Sequence, residues 1–443
     1  MFKIFNSLGK SIQEFKPLKD KRVGIYVCGP TVYSPDHLGH ARTWIFFDWL
    51  RRYLTIEGYK VKFVQNITDA GHLVGDEEVG EDKIEKEAKA KNKTPEEIAR
   101  HYEAEHFRDM EALNILRPNI APRATEHIKD IIEFIKVLIE KKHAYEVTGN
   151  VYFDVRSIPD YGVLTGRKID EEKAGARVKV DKKKKNPADF ALWLLADTSH
   201  LQKWPSPWGE GYPGWHIECS VMAPKYLGQP FEIHGGAVDL KFPHHENEIA
   251  QSWAYAERPL AKYFLHAGML LINGQKMSKS LGNFITIKDV LKLYDADTIK
   301  IAFMGTHWRR PFNWEESATL EAKKIRERLV RAKSQAQPVV TGFKSEINQA
   351  IENDFNTPQA LAVMMKNIGK LSRDDFKYID ELFGLKLEEM VTLNAEEEAI
   401  YKERLQAREA GDYKKADELR SKLEKHGVML EDTPTGTRIY QRK

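Results

Sequence analysis

Two short runs carry the side chains best suited to phosphate chemistry. They are His37-Leu38-Gly39-His40 and Lys276-Met277-Ser278-Lys279-Ser280. A helix entry offers free N–H groups and a partial positive charge, and both favour anions. His37 and His40 placed there would add two more donors, and Gly39 would let a nucleotide come close. Lys276 and Lys279, three residues apart, suit a triphosphate whose charge must be neutralised as pyrophosphate departs. Their loop, opened by Asn273-Gly274, would let the grip tighten in the transition state. Read singly, the tetrad also fits two surface histidines, and the lysine run a solvated basic loop. In this order and in these contexts, the pair describes one ATP pocket gripped from two sides.

The elements around the tetrad place it at the edge of a sheet. Lys21 to Val27 reads as a strand that ends at Cys28 and is broken by Gly29-Pro30. His40 to Glu57 reads as a helix with apolar residues at Trp44, Ile45, Phe47, Trp49 and Leu50. Lys60 to Gln65 is a second strand. Strand, helix, strand is a βαβ unit and predicts a parallel sheet, whose ligands lie outside the carboxyl ends of the strands. Cys28, Gly29 and the tetrad follow the first strand, and Asn66 to Asp69 follow the second. The sheet resumes near Phe231 to His234 and again near Phe264 to Ala267. Between its halves stand an amphipathic helix, Arg123 to Lys142, a strand, Asn150 to Val155, and the basic run Lys182 to Lys185. That region, about 120–205, reads as an insertion, and a solvated surface is the plainer reading of its lysines. Helical patterns then cover Glu315 to Gln337, Glu346 to Leu371 and Ala395 to His426, before a short, turn-rich end.

Bulk properties set the class. At 443 residues, about three domains are expected. The chain is 30% charged and 42% hydrophobic, ordinary for a soluble globular protein. It has no apolar stretch of about 20 residues, so no membrane span is expected. The first residues lack a signal core, which predicts a cytoplasmic protein. A net charge of +3 neither demands nor excludes nucleic acid, because local patches make phosphate contacts. Two cysteines, Cys28 and Cys219, do not make a disulfide framework, and two buried thiols are their plain reading.

His244 and Glu248, in Pro243-His244-His245-Glu246-Asn247-Glu248, would share one face of a helix and could supply half of a zinc site. This is not the metalloprotease pattern, since Ile249 stands four residues after His245.

The tetrad and lysine run together resemble the two signature motifs of class I aminoacyl-tRNA synthetases, with Leu38 in place of the usual isoleucine. In that class a glycine-rich turn approaches the adenosine and a carboxylate binds the ribose. The match gives these roles to Gly235, Gly236 and Asp239. Three further runs resemble the cysteinyl-tRNA synthetases: Tyr26 to Pro30, Gly214 to Cys219, and Phe242 to Glu248. That resemblance implies a zinc ion on Cys28, Cys219, His244 and Glu248. It also implies contacts of Gly29 and Thr68 with L-cysteine, and a pocket closed by Trp215. An apolar pocket separates cysteine from serine by only about 1–3 kcal/mol, whereas zinc binds a thiolate strongly. The resemblance covers nearly the whole chain, including Asn356-Thr357-Pro358 and Leu430 to Thr433. It implies a Rossmann-type parallel-sheet catalytic domain at 1–314 with an inserted subdomain, a helical tRNA-binding bundle at 315–394 and a small C-terminal anticodon-binding domain at 395–443. The expected partners are cysteine tRNA, ATP with Mg2+, and L-cysteine, and a monomer is expected. The chain departs from the pattern at Ala237, at Ala70 to Asp76 and at Tyr440.

Two other functions fit some of these residues. A cysteine:amino-sugar ligase would use the same adenylate chemistry but has no anticodon to read. A non-catalytic tRNA-binding protein would have lost motif residues that are all present here.

Overall fold

A computed structural model describes residues 1–70, 82–168, 183–198, 200–278, 281–338, 342–388, 393–433 and 436–441. Lys279, Ser280, Lys182 and Gly71 to Asp76 lie outside the described residues, as does the Tyr440 side chain.

Four parallel strands carry the site. We label β1 (Arg22–Val27), α1 (Leu38–Ile56), β2 (Lys60–Gln65), α2 (Ile217–Leu227), β3 (Phe231–Ala237), α3 (His244–Ala256) and β4 (Ala261–Ala267). The strand order is β4-β3-β1-β2, with Ile25 paired to both Phe63 and Ile233. The chain leaves β1 toward β2 on one side, and β3 pairs on the other. The order therefore reverses beside β1, where open α/β sheets form their ligand crevice.

α1 is buried on nearly every face. Leu38, Ala41, Ile45, Phe47, Leu50 and Leu54 are fully buried, as expected of a helix covered on both sides. One side packs on the sheet. The other meets the helical region, where Trp49 Nε1 donates to Phe383 O at 2.9 Å. The main apolar core is continuous from Ile4 to Leu387, so it crosses residue 314 without a break.

The insertion is a small α/β unit. Helix Ile128–Glu140 buries Ile131, Ile135 and Leu138 against an antiparallel sheet of Ala144–Val147, Asn150–Phe153, Phe190–Leu195 and Gly211–Pro213. Its last strand lies beyond the expected limit near 205. The helix is also shorter than expected, because Ala124–His127 forms a 3-10 turn.

The helical stretch expected over 346–371 is two helices, Phe343–Glu352 and Thr357–Asn367. Asp354 and Phe355 between them adopt left-handed φ of 59° and 51°, which no helix continues through. Contacts hold Asp354 in this conformation: Oδ1 accepts from Phe5 N, and Oδ2 meets Arg309. The C-terminal helices Ala395–Glu409 and Tyr413–Lys425 pack with a hairpin of Val428–Thr433 and Gly436–Gln441 around Leu423, Val428 and Leu430. Among the described residues, no helix is long and apolar enough to cross a membrane.

Candidate active site and metal centre

The helix begins inside the tetrad. His37 caps α1, and its Nδ1 accepts from the His40 backbone N at 3.2 Å. The two imidazoles stack with centroids 3.5 Å apart. Backbone rungs bind this loop to the chain just after the lysine motif. Leu38 N donates to Ile285 O, and Ile287 N donates to Asp36 O, each at 3.0 Å. The His37 ring also meets Phe284 edge-on. A Cβ on Gly39 would lie 3.5 Å from Met277 Cε. The two motifs therefore lie side by side. The lysine turn is closed by Asn283, whose Oδ1 accepts from Ser278 N and whose Nδ2 donates to Lys276 O. Lys276 is exposed at the end of a two-residue strand.

A polar chain joins the carboxyl ends of β1 and β2 to α2. Gly29 N donates to Asn66 Oδ1 at 2.9 Å, Asn66 Nδ2 donates to Thr68 Oγ1 at 3.1 Å, and Thr68 Oγ1 donates to Glu218 Oε2 at 2.8 Å. Glu218 is buried, and its Oε1 makes no hydrogen bond. Burial pushes its carboxyl well above the usual range, despite the Thr68 hydroxyl.

Cys28, Cys219, His244 and Glu248 are all buried, and their ligand atoms lie within 4.8 Å of one another. Cys28 ends β1, Cys219 sits in the first turn of α2, and the other two share a face of α3. The set fits a divalent, borderline-soft cation. Glu248 Oε2 meets His234 Nε2 at 2.8 Å, while Oε1 makes no hydrogen bond although His244 Nε2 is 3.1 Å away. A cation would satisfy that oxygen. Burial pushes both thiols and the Glu248 carboxyl upward, and a bound cation would reverse this by favouring the anions. A second set, Cys28, His234, His245 and Glu248, comes equally close. Its His245 already meets Cys28 Sγ at 3.2 Å through Nε2 and His266 Nε2 at 2.9 Å through Nδ1. Burial, and then neighbouring imidazoles, pushes His245 far down, and burial takes His266 to about 3. These two rings are neutral packing partners beneath the first set.

One cavity, at the reversal of strand order, is lined by Cys28, Gly29, His37, His40, Thr68, Trp215, Cys219, Asp239 and His244. Trp215 stacks on His244 with centroids 4.6 Å apart. Glu248 lies below this lining, and Lys276 stands outside it. Gly235 and Gly236 do not line the cavity, and the expected glycine-rich turn is strand: β3 runs through Ala237. Packing accounts for both glycines. A Cβ on Gly235 would lie 2.2 Å from the Phe47 ring, and one on Gly236 would lie 2.8 Å from Leu240 and 3.2 Å from His245. Asp239 follows, exposed, in the 3-10 turn Val238–Lys241.

Sequence reading placed Asn66 at the ligand end of the sheet and quoted His234 and His245 within motifs without giving any of them a role, and it missed Glu218 and the pair Asp36 and His106. Asp36 had a visible signal, an acid immediately before the tetrad. His106 had none.

Comparison with known proteins identifies the family. Residues 14–324 match the family model for the tRNA synthetases class I (C) catalytic domain, and residues 390–442 match the cysteinyl-tRNA ligase anticodon binding domain. Curated cysteine–tRNA ligases are similar along their whole length. The chain is 41% identical to that of Carboxydothermus hydrogenoformans, covering 98% of this chain and 99% of the relative. It is 42% identical to those of Chlorobaculum tepidum, covering 99% of each, and Thermus thermophilus, covering 98% of each. In fold, the chain resembles Mycobacterium tuberculosis methionyl-tRNA synthetase in complex with methionyl-adenylate. The TM-score is 0.58 at 14% identity, over 83% of this chain and 88% of the other.

Proposed function

The chain belongs to the cysteine–tRNA ligase family of class I aminoacyl-tRNA synthetases, and on that premise we propose that it joins L-cysteine to its tRNA through a cysteinyl-adenylate. The observation that carries this reading is a single cavity lined by the tetrad histidines, Thr68, Trp215 and three of the four presumed metal ligands.

In the first step, the cysteine carboxylate attacks the α-phosphate of ATP, delivered with Mg2+, and pyrophosphate leaves. His37 and His40 donate to phosphate oxygens at the head of α1, and Lys276 and Lys279 neutralise the charge that develops. Asp239, which follows the Gly235-Gly236 strand end, accepts from the ribose hydroxyls. Gly29 and Thr68 hold the amino acid, and Trp215 closes over it. Cys28, Cys219, His244 and Glu248 would hold a zinc ion, which would supply thiolate recognition and so separate cysteine from serine. In the second step, a hydroxyl of the terminal tRNA ribose attacks the cysteinyl carbonyl and AMP leaves.

The match of residues 390–442 to an anticodon-binding domain favours tRNA over an amino-sugar acceptor. Helices after residue 315 would cradle the tRNA, with the anticodon read beyond residue 394. We read the enzyme as a cytoplasmic monomer, as its family resemblance implies. The test is cysteine-dependent pyrophosphate exchange with zinc and magnesium present, followed by charging of cysteine tRNA. Robust exchange with cysteine is expected, with a rate with serine lower by more than the about 10–200-fold that a hydrophobic pocket alone gives. Silence with cysteine would sink the proposal. Exchange without tRNA charging, but with amide formation on an amino sugar, would replace it.

A further inference from the structure

The loop that presents the tetrad also carries a buried acid, Asp36, with one carboxylate oxygen committed to each of two imidazoles. Oδ1 lies 3.1 Å from His40 Nδ1, and Oδ2 lies 2.7 Å from His106 Nδ1. His106 comes from another element, the helix Pro95–Ala112. It is buried and packs edge-on against Trp44 at 4.7 Å. Ile287 N holds the Asp36 backbone carbonyl from a third direction. The carboxylate is therefore placed by parts of the molecule outside α1, and it acts on α1 as an external reference.

This geometry constrains the chemistry of His40. An ionised carboxylate only accepts hydrogen bonds, so both Nδ1 atoms carry hydrogen. The other nitrogen of His40, Nε2, lies on the ring edge turned away from Asp36. The His40 side chain is 39% exposed and lines the cavity, whereas that of Asp36 is 4% exposed. With Nδ1–H pinned, a neutral ring would offer Nε2 to the cavity as a lone pair, which repels phosphate oxygens. An imidazolium donates from both nitrogens, Nδ1–H to the carboxylate at the back of the ring and Nε2–H to a phosphate at the front. Burial alone would raise the Asp36 carboxyl, but His106 and His40 outweigh it and hold the group well below the usual carboxylate range. Asp109, one turn beyond His106, goes the other way: burial, and then the charge of Asp36, pushes it up to about 7.

We propose that Asp36, backed by His106, is a positioning residue for adenylate formation that fixes the tautomer and angle of His40 and holds it as a phosphate-facing donor. The proposal rests on the reading of His40 as a phosphate-binding residue, and it adds a residue outside both signature motifs.

The test is a double-mutant cycle in the full-length, metal-loaded enzyme, read by pyrophosphate exchange. Asp36→Asn should lower kcat about 10–100-fold, as loss of an outer hydrogen-bond partner does elsewhere, with KM for cysteine and metal content unchanged. In a His40→Ala background, the same substitution should cost no more than about a further twofold, because its effect runs through the missing ring. His106→Asn, which removes only the support, should lose less and should likewise add little without His40. It carries the same cycle if Asp36→Asn folds poorly. A full additive loss in the His40→Ala background would overturn the proposal, as would a wild-type rate for Asp36→Asn. Wild-type exchange by His40→Ala is a separate result, and it would overturn the reading of His40 together with this inference.

Discussion

Replacing Gly29 by alanine should disable cysteine activation. The added Cβ would lie 1.7 Å from Asn66 O and 2.9 Å from its carbonyl carbon, whereas real Cβ contacts stay beyond 3.0 Å. The obstacle is backbone, and the two segments are cross-tied just beyond the clash. Thr68 N donates to Pro30 O, and Val32 N donates to Thr68 O, each at 3.1 Å. Relief therefore requires the ends of β1 and β2 to part, which stretches the 2.9 Å bond from Gly29 N to Asn66 Oδ1. Overpacking of this kind costs about 1–3 kcal/mol. A displacement of roughly 1 Å in a substrate-holding group costs about 100-fold in rate. In pyrophosphate exchange at saturating ATP, kcat/KM for cysteine should fall about 100-fold or more. Metal content should be measured in parallel, because Gly29 follows Cys28. Gly369→Ala, where no heavy atom lies within 4 Å of the new Cβ, serves as the neutral control. Wild-type kcat/KM in Gly29→Ala would refute the steric argument and the placing of cysteine beside Gly29.

Other substitutions probe the metal centre and the acids behind the tetrad. Glu248→Gln removes a charged ligand, so metal affinity measured by competition with a chelator should fall by at least about 100-fold, and full retention of metal would exclude Glu248 as a ligand. His234→Asn removes the hydrogen bond to Glu248 Oε2 and should weaken metal binding by about 10–100-fold, while unchanged affinity would deny it that supporting role. Cys28→Ser should collapse the preference for cysteine over serine toward the modest ratio of a shape-only pocket, about 10–200-fold; an intact preference would move selectivity away from the metal. Asp109→Asn tests the raised acid. Asp109 sits at about 7 in the fold and near 3.9 in the unfolded chain, so the fold keeps a proton that the unfolded chain loses. Wild-type stability therefore falls as pH rises from about 4 to about 7. The variant should melt above wild type at pH 8, with the gap closing toward pH 4, and an equal gap at both pH values would contradict the assignment.

Much of the site was legible because its parts are local. A strand ended by Gly29-Pro30, a histidine tetrad at a helix entry and a His–Glu pair four residues apart are short-range patterns, and each appears in the structure where its spacing places it. The unread parts depend on distant contacts. His106 touches Asp36 across the fold, and nothing near either residue announces the other. His245 sits beside a presumed ligand in sequence, but packing turns it beneath the cluster to meet His266. Gly235 and Gly236 looked like an adenosine-binding turn, yet the residues that exclude a side chain there, Phe47 and His245, come from two different helices. The break at Asp354 and Phe355 went unread for the same reason, since Phe5 and Arg309 hold Asp354 from other segments.

The presumed ligands come from the end of β1, the first turn of α2 and one face of α3, segments between which the chain runs out through the whole inserted subdomain and back. A cation held by all four would act as a clasp on the catalytic domain as well as a selector of substrate. Loop-closure cost grows only slowly with loop length, so the long detour between β1 and α2 adds little to the cost of forming the clasp. By mass action, each tenfold rise of free metal above its dissociation constant would add about 1.4 kcal/mol to folded stability. Metal supply would then govern how long each copy of the enzyme resists unfolding and proteolysis, and scarcity would thin the population of the enzyme along with its activity.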